Sequence, residues 1–212
     1  MSASPHRILV LGGTGPTGRL IVEQALEQGH SVTVLARRPE GHPIGHASLA
    51  VLDGDVLEVD LAPVLAGHDT VVSSLGRGMS LRSEHLMSRA TPRILAAMER
   101  AGIARLVFLS AYGVGGTAAE APLLLRLLFR VMFSDIYADK AVAEAAVRES
   151  SLNWTILAPV KLTNGPAAGR YRAGEDLRVP GFAKISRAAV AASVLGSIDD
   201  PATFRKRLVV AA

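Results

Sequence analysis

The sequence predicts an α/β fold in which helices cover both faces of a doubly wound, parallel sheet. Short runs of apolar residues alternate along the chain with longer segments whose apolar residues recur at helical spacing. In addition, a turn containing Gly12, Gly15 and Gly18 joins the first apolar run to the first helical segment. In such sheets, ligands bind outside the carboxyl ends of the strands, where the strand order reverses.

The predicted elements follow one another in strand-helix order. Strands are predicted near residues 7–11, 31–36, 49–52, 69–73, 104–109 and 153–158. Helices are predicted near residues 16–28, 83–101, 121–133, 135–150 and 186–198. Glycines and prolines after residue 160 predict a loop-rich C-terminal portion. We expect one domain, 1–212, in which 160–185 and parts of 111–140 form the substrate side.

The turn after the first strand is the most specific motif of the chain. Gly12 permits a tight turn, Gly15 lets a ligand approach the backbone, and Gly18 lets the helix pack closely on the sheet. Pro16 suits a first helical turn because it has no N–H group, and the helix dipole would face an anion. The motif predicts a cradle for the pyrophosphate of a dinucleotide. A tight turn without a ligand is the alternative.

The second predicted strand ends at Arg37 and Arg38, where the adenosine ribose of a dinucleotide would lie. An acidic residue there would favour the free 2′-hydroxyl of NAD(H), whereas arginine suits a 2′-phosphate. The pair therefore favours NADP(H) over NAD(H), the alternative being two solvated side chains.

Composition narrows the remaining classes of function. The 212 residues carry a formal net charge of +4 and include no cysteine. The absence of cysteine excludes disulfides and thiolate chemistry, and it fits the cytoplasmic localisation that we expect. The six histidines show no ligand spacing with acidic residues, so we expect no metal site. Because basic residues are scattered and aromatic residues are few, we expect no nucleic-acid partner.

An apolar segment near 121–133 predicts a helix interrupted by Arg126 and Arg130. It is too short for a bilayer span, and two arginines form only a thin polar face for a membrane surface. We expect this helix to cover a cleft, to pack on the core or to meet another subunit, and we expect a monomer or homodimer without a membrane partner.

Several motifs together resemble a known family. They are Gly-Gly-Thr-Gly-Pro-Thr-Gly at 12–18, Val-Leu-Ala-Arg at 34–37, Asp-Gly-Asp-Val at 53–56, Ser-Ala-Tyr at 110–112, and Val-Arg-Glu-Ser at 147–150 leading to Pro159. In order and spacing the chain resembles the atypical short-chain dehydrogenase/reductases of the NAD(P)-binding type, with a Rossmann-like fold. This family includes biliverdin-IXβ reductase, a flavin reductase, and the NmrA-like proteins.

The resemblance implies a cofactor site spread over the ends of several strands. It implies that the pyrophosphate is held by Thr14, Gly15, Pro16 and Thr17, and the 2′-phosphate by Arg37 and Arg38. It also implies that Asp55 and Val56 flank the adenine. Leu75 and Gly76 would lie beside the cofactor, and Pro159 and Val160 beside the nicotinamide amide. For Asp55, the cap of a following helix is an equally good interpretation.

Ser110, Tyr112 and Lys140 are the candidate catalytic residues. Ser110 follows a predicted strand, so its hydroxyl could bind a substrate carbonyl or the nicotinamide amide, or could only cap the strand end. The larger short-chain dehydrogenase group uses a tyrosine and a lysine four residues later, whereas Lys140 follows Tyr137 by three. We therefore expect Lys140 to be a cleft or ion-pair residue, with Tyr137 packed near it, rather than a member of that triad.

The resemblance implies hydride transfer from NADPH to a flat, conjugated small molecule, such as a flavin, a linear tetrapyrrole or a quinone. Solvent can supply the proton in such reductases. Lys161 and the loop at 162–172 could shape the acceptor pocket, the alternative for Lys161 being a side chain exposed to solvent. A second hypothesis is a non-catalytic NADP(H) sensor of the NmrA-like kind. A third hypothesis is an isomerase or epimerase acting on a nucleotide-linked substrate, for which the short C-terminal portion offers little room.

Overall fold

A computed structural model describes residues 4–40, 43–76, 82–114, 134–166, 171–180 and 182–212. The strands are β1 (Arg7–Leu11), β2 (Ser31–Ala36), β3 (Leu49–Asp53), β4 (Thr70–Ser73), β5 (Arg105–Leu109), β6 (Asn153–Pro159), β7 (Lys161–Thr163), β8 (Arg172–Gly174), β9 (Lys184–Ser186) and β10 (Lys206–Ala211). The helices are α1 (Pro16–Glu27), α2 (Leu61–Leu65), α3 (Leu86–Ala101), α4 (Ser134–Glu149) and α5 (Arg187–Gly196).

One eight-stranded sheet organises the molecule and confirms the predicted Rossmann-like α/β class. Its order is β3-β2-β1-β4-β5-β6-β10-β8, and β7 pairs separately with β9. All pairs are parallel except the antiparallel pair of β8 and β10. The order reverses between β1 and β4. The crevice for a ligand is therefore expected at the carboxyl ends of these two strands.

Two apolar layers cover the sheet. On one face, Ile21 of α1 and Val190 of α5 join the core that contains Val10. On the other face, Ile94 of α3 and Val147 of α4 belong to a second core. Each of these side chains is at most 2% exposed, so each contributes about 1.5–3 kcal/mol by burial.

The predicted elements agree closely with β1 to β6 and with four of the helices, and the largest difference is at α3. The predicted helix at 83–101 begins instead at Leu86, because Glu84 and His85 have positive φ angles of 49° and 53°. The N–H groups of Met87 and Ser88 donate to the Asp139 carboxylate at 3.0 and 2.9 Å. An anion from α4 thus caps α3.

The C-terminal portion contains more regular structure than the sequence predicts. β10 was missed, although it lies inside the main sheet between β6 and β8. The short strands β7, β8 and β9 were also not predicted. The predicted helix at 121–133 lies outside the described residues. Among the helices that the structure describes, none is long and apolar enough to cross a membrane.

A buried arginine joins three segments at the amino-terminal end of the sheet. Arg105 at the start of β5 is 8% exposed, and its guanidinium lies 4.4 Å from the centre of the Phe204 ring. Its N–H groups donate to the carbonyls of Ile198 (2.8 Å), Asn153 (2.5 Å), Leu106 (3.2 Å) and Ser197, and to the Thr155 hydroxyl (2.8 Å). Burial lowers the pKa of Arg105 to about 10, so the side chain stays charged at neutral pH.

A second buried polar contact at this end predicts acid sensitivity. His30 is 4% exposed, and its Nδ1 accepts the His6 backbone N–H at 3.0 Å. Burial and, secondarily, the His6 ring lower the pKa of His30 from 6.5, against a smaller opposing effect of Asp199. Stability from neutral His30 is present above pH 6.5 and is lost as the pH falls through the lowered pKa.

We therefore expect the wild type to lose more stability than His30→Asn when the pH is lowered from about 8 to about 5. This range extends about 1.5 units on either side of the ordinary histidine pKa. Asparagine keeps an acceptor near the position of Nδ1 but does not titrate. Urea unfolding at the two pH values measures the difference. An equal loss in both proteins would exclude His30 as the source.

Candidate cofactor and active site

The glycine turn is packed against the end of β4. Gly12 has a φ of +84°, and a Cβ atom there would lie 2.7 Å from the Ser74 carbonyl oxygen. A Cβ atom on Gly18 would overlap the Gly12 carbonyl oxygen and would lie 2.8 Å from Ser74 Oγ. The Ser74 hydroxyl lies 3.2 Å from both the Leu11 and the Gly12 carbonyl oxygens, to which it donates. The turn therefore requires glycine at both positions for steric reasons.

The outer side of the same turn is open. A Cβ atom on Gly15 would meet only the Gly12 carbonyl oxygen, at 3.4 Å. Gly15 is the N-cap of α1 and has no side chain to cap it, Pro16 follows, and the first turn contains no acidic residue. Such a helix end offers N–H groups and a positive dipole end to an anion. Shape and polarity therefore fit a pyrophosphate.

The ends of β2 and β4 place four predicted residues at the same edge of the sheet. Arg37 and Arg38 are both exposed, and no ion pair or side-chain hydrogen bond engages either arginine within the described residues. Their charges are thus accessible to an anionic ligand. Leu75 is half-buried against the second core, and Gly76 is exposed beside it.

The structure at the end of β3 contradicts one of the two interpretations of Asp55, that of a helix cap. Asp55 Oδ1 accepts the Leu57 N–H at 2.9 Å and so caps a turn. The helix cap is Asp60, which accepts the Ala62 N–H at 3.0 Å at the start of α2. The helix-cap interpretation of Asp55 is therefore wrong, because α2 does not begin until Leu61. Val56 is 7% exposed and packs in the second core.

The end of β6 is held by backbone hydrogen bonds. The Pro159 carbonyl accepts the Tyr112 N–H at 2.9 Å, and the Val160 N–H donates to the Val210 carbonyl at 3.1 Å. The Val160 N–H is therefore already engaged.

Ser110 is buried at the end of β5 and is bound on two sides. Ser110 is 5% exposed, and its backbone N–H donates to the Leu157 carbonyl at 2.8 Å. Its hydroxyl donates to the carboxylate of Glu144, a residue of α4 that is 3% exposed. The sequence analysis did not identify Glu144.

Two arginines hold the Glu144 carboxylate. Arg207 of β10 lies 2.9 Å from Oε2, and Arg148, one turn later on α4, lies 3.2 Å from the same oxygen. Arg207 also donates to the carbonyls of Ala111 and Val114, at 3.2 Å each. Ser110, Glu144 and Arg207 therefore connect β5, α4 and β10.

The face of α4 that carries Glu144 also carries Tyr137 and Lys140. Residues three and four apart lie on one face of a helix, so the spacing 137, 140, 144 could have identified Glu144. The long separation in sequence between Ser110 and Lys140 does not separate them in space, because Glu144 lies one turn beyond Lys140. Tyr137 donates its hydroxyl to the Tyr112 carbonyl at 3.3 Å, and burial raises the pKa of Tyr137.

Lys140 is an ionisable group with a strongly altered pKa at this edge. Burial lowers the pKa of Lys140 to about 8, although the nearby charges of Glu144 and Asp139 oppose the shift. Its Nζ lies 3.5 Å from Met87 Sδ, a weak acceptor. A lysine pKa lowered in this way is common among functional residues. The Tyr112 side chain, by contrast, packs against the first core.

Comparison with known proteins identifies the family. Residues 12–201 match the family model described as NAD(P)H-binding. The protein YwnB of Bacillus subtilis is 26% identical, over 96% of this chain and 97% of its own length. The photosystem II assembly factor Ycf39 of Synechocystis is 32% identical over 71% of this chain, which spans only 43% of that protein.

Solved structures show the same fold. A short-chain dehydrogenase/reductase of Veillonella parvula, in complex with NADP, superposes with a TM-score of 0.79 at 23% identity, over 99% of this chain and 95% of that chain. The resemblance inferred from the motifs is thus confirmed, as is NAD(P)H as the class of cofactor. The chain belongs to the NAD(P)H-binding family and has a Rossmann-like fold.

Proposed function

We propose that this protein is an NADPH-dependent reductase that transfers hydride to a flat, conjugated acceptor such as a flavin, a linear tetrapyrrole or a quinone. One observation carries the proposal: the open glycine turn and the Ser110–Glu144 pair lie at the same edge of one sheet, two strands apart. A dinucleotide lying along this edge would have its phosphates at the turn and its nicotinamide near Ser110.

The proposed cofactor site uses residues from five strand ends. Gly12 and Gly18 shape the turn, Thr14, Gly15, Pro16 and Thr17 hold the pyrophosphate, Arg37 and Arg38 the 2′-phosphate, Asp55 and Val56 the adenine, and Leu75, Gly76, Pro159 and Val160 border the remainder. The nicotinamide supplies the hydride when bound.

The side chains at the end of β5 would position the reactants and manage a proton. Ser110 orients the groups at the reacting end, since its own position is fixed by two hydrogen bonds. Lys140, with a pKa of about 8, can exchange a proton near neutral pH. Solvent is a second proton source for the reduced acceptor. Positioning alone contributes substantially to rate in such a site.

The first test is the binding and oxidation of NADPH and NADH, followed with FMN, quinones and biliverdin as acceptors. We expect wild type to bind NADPH more tightly than NADH, and Arg37→Ala to lose about tenfold of that preference, because a charge-assisted hydrogen bond contributes at least that much. Arg89→Ala, which removes one positive charge from the exposed face of α3, is the control for loss of charge alone. Equal affinity for the two dinucleotides in wild type would contradict the NADP(H) assignment.

A non-catalytic NADP(H) sensor is the second candidate function. It is favoured by Lys140 lying three residues after Tyr137, and by the Tyr137 hydroxyl being engaged with a backbone carbonyl. Tight binding of NADPH without oxidation by any of these acceptors would support the sensor over the reductase.

A further inference from the structure

Ser110 can make only a limited set of hydrogen bonds. A hydroxyl has one proton to donate and two lone pairs that accept, whereas a carboxylate only accepts. Glu144 is buried and paired with Arg207 and Arg148, so the Ser110 proton is directed to Glu144 Oε1. Within the part of the chain that the structure describes, no group donates to Ser110 Oγ.

We propose that Glu144 fixes Ser110 as a hydrogen-bond acceptor, so that Ser110 recognises the carboxamide NH2 of the nicotinamide rather than a substrate carbonyl. The inference rests on the proposed function and specifies one contact within it. It narrows the sequence-based expectation, which allowed Ser110 to bind either a carbonyl or the amide. Glu144 is then a positioning residue that acts through Ser110.

The surroundings of Ser110 favour a donor on the ligand. Neighbouring strands lie about 4.8 Å apart, so β5 is about 10 Å from β1 and its glycine turn, within the span of a dinucleotide. At the neighbouring end of β6 the Val160 N–H is already engaged with the Val210 carbonyl, so it is not a free donor for the carboxamide oxygen. Ser110 Oγ, by contrast, is an acceptor to which the carboxamide NH2 can donate.

The hydrogen bond from Ser110 to Glu144 limits what Ser110 can do in catalysis. Ser110 cannot donate to the oxygen of a carbonyl substrate while its proton is bound to Glu144, so it gives no electrophilic assistance to such a substrate. A conjugated acceptor that takes hydride without this assistance is compatible with the arrangement.

Binding of two oxidised dinucleotides measured by calorimetry tests the proposal without any turnover. NADP+ carries the carboxamide, and its 3-acetylpyridine analogue keeps the carbonyl but replaces NH2 by methyl. Wild type should bind NADP+ about tenfold more tightly than the analogue, the value of one good hydrogen bond. If Ser110 donated to the carbonyl instead, the two dinucleotides would bind equally.

Three variants identify the residues responsible for the preference. Ser110→Ala should bind both dinucleotides equally. Glu144→Gln should also lose the preference, because the new amide can donate to Ser110 Oγ and release the hydroxyl proton toward the ligand. Arg148→Gln removes the more exposed partner of Glu144 and leaves Arg207 in place, so the preference should persist.

The outcomes separate the inference from the proposed function. Equal binding of the two dinucleotides by wild type, or an undiminished preference in Ser110→Ala, would overturn the role of Ser110. If neither dinucleotide bound wild type, the proposed function itself would fail. Thermal unfolding of each variant shows whether it is folded. If Glu144→Gln does not fold, because Arg207 is left buried without its partner, Ser110→Ala alone decides the proposal.

Discussion

Replacing Arg105 by methionine should lower the free energy of unfolding by about 3 to 5 kcal/mol, among the largest single-residue losses expected for this protein. The guanidinium satisfies backbone carbonyls of three segments, including those of Asn153, Ser197 and Ile198. Methionine replaces only the aliphatic part of the side chain and donates nothing, so these buried carbonyls would lose their partner. Each buried acceptor left without a donor costs about 1–3 kcal/mol.

Urea unfolding near neutral pH measures this loss, and Arg89→Met is the matched control. Arg89 is exposed on α3, so the same substitution there should change stability by less than about 0.5 kcal/mol. A loss below about 1 kcal/mol for Arg105→Met would mean that water or neighbouring donors replace the guanidinium. The Phe204 ring against which Arg105 lies would then pack on methionine instead.

Gly18→Ala should lower the stability of the fold, whereas Gly15→Ala should leave the fold intact and weaken NADPH binding. A Cβ atom at Gly18 overlaps the Gly12 carbonyl oxygen, so the start of α1 must move away from the turn. We expect a loss of about 2–4 kcal/mol in stability, because backbone atoms cannot yield as a flexible side chain does. At Gly15 the nearest atom is 3.4 Å from such a Cβ and φ is −73°, so alanine is accommodated.

For Gly15→Ala, the expected change is in affinity. The new methyl group would stand on the open side of the turn and hold a phosphate away from the backbone, reducing NADPH affinity at least about tenfold. Calorimetric titration with NADPH and thermal unfolding of both variants measure the two effects. Unchanged NADPH affinity in a folded Gly15→Ala protein would place the pyrophosphate elsewhere.

The first six strands could be predicted because each contains a nearly continuous apolar run, as expected in a parallel sheet. This holds even for β3, which lies at the sheet edge and is only partly buried. The glycine turn was recognisable for a related reason, since glycine spacing reports backbone contacts directly. β10 could not be predicted in the same way. Its apolar part, from Leu208 to Ala211, is short and follows Arg205, Lys206 and Arg207, so the segment as a whole does not stand out as a buried strand.

The missing strand also concealed part of the site. Glu144 shares a helix face with Tyr137 and Lys140, and this spacing is visible in the sequence. Its partner Arg207 is not, because an ion pair between residues 63 positions apart depends on the sheet order. The lowered pKa of Lys140 likewise depends on burial, which residue spacing does not report.

The position of β10 in the chain has a consequence for biosynthesis. A nascent polypeptide on the ribosome can pair β1 to β6 while Arg207 has yet to be translated. In that interval the Glu144 carboxylate lacks its most buried cation, and only Arg148 of its two arginine partners has been translated. The contacts among Ser110, Glu144 and Arg207 therefore form late, after β10 has entered the sheet beside β6. The glycine turn after β1 can form earlier.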